Sequence, residues 1–305
     1  MDRRVIPVVV LLLLVVVVDV GQHQLDAIAL DNLSNAGFER GHQWTPADFA
    51  IPYEDVQVPS GPLQLAGWWM PGTGPNATTT VVLVHGYSSN MSKPMRIWGP
   101  SLHAAGYALL SIDLRNHGAS PDDGGRVTYG VHEADDVANA AAWVRAHAQE
   151  RHVDPDRIVL YGGSMGAASV LNAGGRHLPG VIAVIADSSF ASFGFEAHID
   201  GKDKGYPSFI VDWVVARMDA LAPAPPTNSH PDTALVGMQV PVLLAQCDDD
   251  TNITPPNFER LRAIAPAGTT TWHGPCPRGL SKEHHVDGWM DPAYNATVQD
   301  FLRGL

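Results

Sequence analysis

Cysteine is almost absent from this chain, with two in 305 residues. That excludes a disulfide-rich scaffold and a four-cysteine zinc site, and permits one disulfide at most. Basic residues are also scarce: 19 Lys and Arg stand against 32 Asp and Glu, for a formal net charge of −13. A chain with so little positive charge lacks the footprint that phosphate backbones require, so nucleic-acid binding is not expected. The acidity supports solubility but names no partner. There is no internal repeat, and no H-E-x-x-H or other metal-ligand spacing. No cofactor motif is present either. The apolar share, 45%, is ordinary for a globular protein and excludes wholesale disorder. The length suits one large α/β domain or two small ones.

The one long apolar run lies at the start. Val5 to Val18 is entirely Val, Leu or Ile except for Pro7, behind Arg3 and Arg4 and ahead of Asp19. A 14-residue run is short for a membrane span, which needs about 20, and resembles a signal-peptide core or a short anchor. Ala27-Ile28-Ala29 fits a small-x-small cleavage rule but lies far downstream. Residues 1–20 are therefore expected to be a signal peptide or a membrane anchor through residues 5–18. Residues 21–44 would be a linker and 45–305 a domain on the exported side.

From Thr45 onward the pattern is regular. Val56–Val58 and Leu63–Trp69 form a strand pair, and buried strands are expected at Val81–Val84, Tyr107–Asp113, Ile158–Tyr161, Val181–Ala186, Val240–Ala245 and Thr269–Trp272. Helical stretches fall between them, at 101–106, 132–149, 165–173, 256–265 and 292–303. Strands alternating with helices imply a mostly parallel α/β sheet with right-handed crossovers. Ligands then bind beyond the carboxyl ends of the strands.

The most telling such end is Gly162-Gly163-Ser164-Met165-Gly166, a G-x-S-x-G between strand and helix. A serine at that elbow needs small neighbours to let the chain turn, and projects its hydroxyl above the sheet. Serine is a weak nucleophile, so a base and an orienting acid should follow in the order Ser, Asp or Glu, His. One of Asp248, Asp249 and Asp250, after the Val240–Ala245 strand, suits the acid, with Asp187 the runner-up. The adjacent His284 and His285, ahead of the last helix, supply candidate bases. The oxyanion hole would come from the backbone N–H groups of Met165 and of Tyr87, just past His85-Gly86. His85, Asp113, Arg115 and His117 read more simply as a hydrogen-bonded loop.

With these segments in place the chain resembles an α/β-hydrolase of the serine-aminopeptidase and esterase-lipase group over about residues 45–305. The likeness rests on His85-Gly86-Tyr87, Asp113-x-Arg115-x-His117-Gly118-x-Ser120, Tyr129-Gly130 with Glu133 and Asp136, and the Ser, Asp and His segments. It implies Asp250 as the acid, from a strand-end G-x-x-D in which Cys247 replaces the glycine. It implies His284, seven residues before Asp291-Pro292, as the base. It also makes neighbours of the strands bearing Cys247 and Cys276, and so implies a disulfide between them in an exported chain.

Residues 188–238 correspond to a small cap insertion, and Phe193, Phe195 and Trp213 within it are candidates for an acyl pocket. The expected activity is hydrolysis of small-molecule carboxylic esters by Ser164, His284 and Asp250, with no cofactor and no metal. A peptidase or amidase on the same site is the alternative, kept open by Glu196 and Asp200 in the cap. A catalytically silent binding protein is the third reading. Five N-x-S/T sequons (Asn32, Asn76, Asn90, Asn252, Asn295) carry no glycosylation inference, because Asn90 and Asn252 lie beside the expected site.

Overall fold

A computed structural model describes residues 21–277 and 285–305. Eight strands form one sheet: β1 (Glu54–Ser60), β2 (Leu63–Met70), β3 (Thr80–Val84), β4 (Ala108–Ile112), β5 (Ile158–Gly163), β6 (Val181–Asp187), β7 (Val242–Cys247) and β8 (Thr270–Gly274). Their spatial order is β1-β2-β4-β3-β5-β6-β7-β8. β2 runs antiparallel to β1 and β4, and every other pairing is parallel. This is the expected mostly parallel α/β sheet.

The helices are α1 (residues 21–33), α2 (Ser92–Ile97), α3 (Gly99–Ala104), α4 (His132–Ala146), α5 (Ala148–Arg151), α6 (Met165–Gly174), α7 (Phe193–Asp203), α8 (Ser208–Leu221), α9 (Pro231–Val236), α10 (Pro255–Ile264) and α11 (Pro292–Arg303). None of the described helices is long and apolar enough to cross a membrane.

The central strands are apolar on both faces because both are covered. Val82, Val84, Leu110, Leu160 and Val184 point to one side, against Val137, Ala141 and Val144 of α4 and Val170 and Leu171 of α6. Val81, Leu83, Leu109, Val159 and Ile185 point to the other, against Met95, Leu102 and the α11 residues Tyr294, Val298 and Leu302. The strand residues alternate with period two and the α11 residues recur every four, as their elements require. Asp291 caps α11 by accepting from the Ala293 N–H at 2.7 Å, with Pro292 in the first turn, where its missing N–H costs nothing.

The segment expected to be a linker departs from that expectation over residues 21–33. These are helical, and Ala29 and Leu33 are buried with Phe190, Phe193, Met218 and Ile253. Asp26 pairs with Arg217 of α8 at 2.5 Å. Gly21, Leu25, Ala29 and Leu33 form a four-residue stripe, but it is narrow and set among polar residues. Only its packing against the insertion makes a helix of it. The insertion at 188–238 itself folds into α7, α8 and α9 between β6 and β7.

Candidate active site

Ser164 stands between β5 and α6 at φ 58° and ψ −127°, a conformation unfavourable for a residue with a Cβ. The turn survives because its neighbours leave no room for anything larger. A Cβ on Gly162 would lie 2.3 Å from the Gly166 carbonyl oxygen, and one on Gly166 would lie 2.4 Å from that of His85. Gly86 approaches from the β3 loop, where a Cβ would sit 2.9 Å from that of Ser164. The strained backbone is held from below by the Ser164 N–H donating to the Asp187 carbonyl at 2.9 Å.

Of the three consecutive acids, Asp250 is the one turned inward. It is 1% exposed, and its Oδ1 accepts from the Asn252 and Ile253 N–H groups at 2.8 and 3.0 Å. Its Oδ2 accepts from Gln246 Nε2 at 3.1 Å and faces Nδ1 of His285 at 2.7 Å. Asp248 and Asp249 are exposed: the first meets His273 at 3.0 Å, and the second accepts from the Cys276 N–H at 3.0 Å. Cys247 and Cys276 form a disulfide with their Cα atoms 5.4 Å apart. It joins the end of β7, three residues before Asp250, to the strand exit that leads toward His285.

The histidine against Asp250 is therefore His285. His284, implied as the base by its distance from Asp291-Pro292, lies outside the described residues. Spacing along a loop cannot decide between adjacent side chains, because a single local twist exchanges them; Val286 adopts φ 57° immediately after.

Ser164 and His285 line one cavity of about 220 Å³, together with Gly86, Tyr87, Ser88, Lys93, Ile97, Trp98 and Val286. A second cavity of about 250 Å³ shares Ser88, Ser89, Lys93, Ile97 and Val286, and extends to Trp44, Arg96 and Trp289. Met165, like Tyr87, adjoins the serine, and its side chain is buried beneath the elbow.

Phe193, Phe195 and Trp213 do not line either cavity. Phe193 is buried and packs on Tyr129 with ring centroids 4.7 Å apart; Tyr129 in turn stacks on Tyr87 at 5.4 Å. Phe195 lies beneath the Arg260 guanidinium, and Trp213 is 37% exposed on α8. The wall they were expected to supply comes instead from α2 and from Trp98, which follows it. The Trp98 ring fits there because Gly163 has no Cβ, which would lie 2.9 Å from it. The sequence signal for this was weak, since Lys93, Ile97 and Trp98 occupy a stretch with no extended periodicity.

The loop residues around the site hold the scaffold. His85 is buried, its Nδ1 against the Gly86 carbonyl at 2.8 Å and its Nε2 accepting the Leu114 N–H at 3.0 Å. Burial, reinforced by His117, pushes its pKa down to about 3, so it is neutral. Asp113 accepts from the Met91 and Ala119 N–H groups, each at 2.7 Å, and Arg115 pairs with buried Asp136 at 2.7 Å.

Asp187, the runner-up acid, is wholly buried and accepts from the Tyr294 hydroxyl at 2.7 Å and the Ser188 hydroxyl at 3.0 Å. Burial pushes its carboxyl up to about 6 despite those hydrogen bonds. Glu196 on α7 is likewise pushed up to about 7 by burial, though Asn257 donates to it. No cluster of three metal-ligating side chains occurs among the described residues.

An eight-stranded, mostly parallel sheet with its serine on a strained elbow beside a His–Asp pair is the α/β-hydrolase fold. The family model of the serine aminopeptidases (S33) matches residues 75–226, about half of the chain. An uncharacterized protein of Escherichia coli (strain K12), YfhR, is 36% identical over 139 residues, covering 43% of this chain and 44% of that protein. Rv2307c of Mycobacterium tuberculosis, also uncharacterized, is 28% identical over 130 residues, 43% of each. The matched region thus spans less than half the length of these relatives.

Among solved structures, the Pyrococcus furiosus esterase Pf2001 aligns with a TM-score of 0.66 at 22% identity, over 88% of this chain and 99% of that one. Porphyromonas gingivalis dipeptidyl peptidase 4 aligns with a TM-score of 0.58 at 20% identity, over 83% of this chain and 35% of that one. At these identities the structural likeness speaks for the fold. Together with the family match, it supports a serine hydrolase.

Proposed function

We propose that the chain is a carboxylic-ester hydrolase working through an acyl-enzyme on Ser164, His285 and Asp250. The observation that carries this reading is the shared cavity: the elbow serine and His285 face the same space, and His285 holds Asp250 at 2.7 Å through its other nitrogen. Ser164 Oγ attacks the acyl carbon while His285 takes its proton. The developing oxyanion is received by the N–H groups of Met165 and Tyr87. The alcohol then leaves with the proton held by His285, and water, deprotonated by the same histidine, releases the acid. Asp250 keeps the imidazole in the tautomer this needs. Its two backbone donors and Gln246 hold its carboxylate in place.

Ile97, Trp98 and Val286 give the cavity beside the serine an apolar wall that suits an acyl chain, with Lys93 on its border. An aminopeptidase would need a carboxylate for the substrate's ammonium group; the cavity of Ser164 has none among its lining residues, while Glu39 and Asp287 line the adjoining one. Glu196 instead engages Asn257 and lines neither cavity. A fluorophosphonate probe should label the protein but not Ser164→Ala. Nitrophenyl acyl esters of rising chain length, run beside aminoacyl nitroanilides, test the substrate class. Turnover confined to the anilides would overturn the ester reading, and failure of the folded protein to take the probe would overturn the nucleophile.

A further inference from the structure

We infer that the apex of the cap, from Lys202 to Trp213, rests in the interface of a lipid bilayer. Residues 202–209 are exposed without a break. They include Tyr206, 57% exposed, and Phe209, 66% exposed; Trp213, 37% exposed, lies one turn further on the same face of α8. Three large aromatics on one small apex are unusual for a surface that meets only water. They are flanked by Lys202 and Lys204, two of the four lysines in the chain; Lys204 pairs with Asp200 at 2.8 Å, and Asp203 and Asp212 lie in the same stretch. Exposed aromatic rings suit the headgroup region of a bilayer, where the rings enter and the Lys202 stem can carry its ammonium group to phosphate.

The second observation is where the chain leaves the described domain. Ser34 bridges to Arg126, whose guanidinium donates to the carbonyl of Leu221 at the end of α8. Asp26 pairs with Arg217, one turn earlier in α8. Moving backward along α1 is therefore moving backward along α8, so Gly21 lies toward Trp213 and Phe209. The apolar run of residues 5–18 adjoins that end. The far end of α1 reaches the catalytic cavity, where the Asn32 carbonyl accepts from the Tyr87 hydroxyl at 3.2 Å. At 1.5 Å per residue, α1 sets roughly 20 Å between the chain's exit toward lipid and the site.

The docking is independent of the ester reading and is tested without activity. The native cysteines pair with each other, so Phe209→Cys and Val236→Cys each add a single thiol for a fluorescent label. Val236, 62% exposed on α9, serves as the control position. The full chain, residues 1–305, is incorporated into vesicles of equal parts phosphatidylcholine and phosphatidylglycerol containing brominated lipid. Strong quenching at 209 with little at 236 is the expected result, together with loss of tryptic cleavage after Lys202 and Lys204 relative to detergent. Equal quenching at the two positions would overturn the proposal. So would tryptic protection without quenching at 209, which would mean that a second copy of the chain covers the apex.

Discussion

The serine elbow and the His–Asp pair of the proposed site are built on different physical terms. Ser164 is held by backbone sterics: Gly162 admits no Cβ because of Gly166 four residues on, and Gly166 admits none because the β3 exit at His85 lies against it. Asp250 and His285 are 35 residues apart and meet only through tertiary contacts: the Cys247–Cys276 bond, the Gln246 amide and the neighbouring ends of β7 and β8. A local device is tolerant of what happens elsewhere. A tertiary one depends on several partners at once and can be retuned piece by piece.

The sharpest test of this contrast is on the His–Asp pair. His285→Ala should lower kcat by roughly 10⁶-fold, the loss expected when one member of a working triad is removed. His284→Ala should stay within the parent's order of magnitude in the same ester assay. The reverse pattern would restore the spacing-based assignment. At the serine elbow, Gly166→Ala drives a methyl to 2.4 Å from a backbone oxygen and should cost about 3 kcal/mol in a denaturant titration. A variant with an unchanged midpoint would show that the elbow is not sterically locked.

Removing the disulfide as Cys247→Ser with Cys276→Ser should cost about 3.6 kcal/mol, the scale for a closed loop of 29 residues. It should also lower kcat while leaving fluorophosphonate access to Ser164, since the elbow does not rely on it. Thiol titration of the unreduced, unfolded parent should find no free thiol, and two would contradict the pairing.

The smallest effect concerns Glu196, raised from 4.5 to about 7 by burial. The fold favours the protonated acid, so the folded state binds more protons than the unfolded one between those values. Stability then falls as pH rises through that window. Glu196→Gln, which keeps an acceptor for Asn257, should raise Tm at pH 8 and leave it unchanged at about pH 4.5. An equal gain at both pH values would mean that packing, not charge, is responsible.

The strands and the serine elbow could be read from residues because their causes are local. Continuous apolar runs such as Val81–Val84 are what a strand covered on both faces requires, and G-x-S-x-G is what a tight strand-to-helix turn requires. The wall of the cavity was not legible in the same way. Phe193, Phe195 and Trp213 have suitable chemistry, but nothing in their spacing tells whether an aromatic packs inward on Tyr129, under Arg260 or outward. Likewise, α1 has too narrow a stripe to announce itself before the cap is there to cover it.

By itself, then, the sequence determined the sheet, its helical covering and the position of the serine elbow, since hydrophobic periodicity and the steric demand of a tight turn act over a few residues. Only the tertiary structure decided that Asp250 turns inward, that His285 meets it, that α2 rather than the cap lines the cavity, and that residues 21–33 join the domain. Each of those outcomes depends on the direction of a side chain across a gap closed by distant segments, and that direction is a property of the assembled packing.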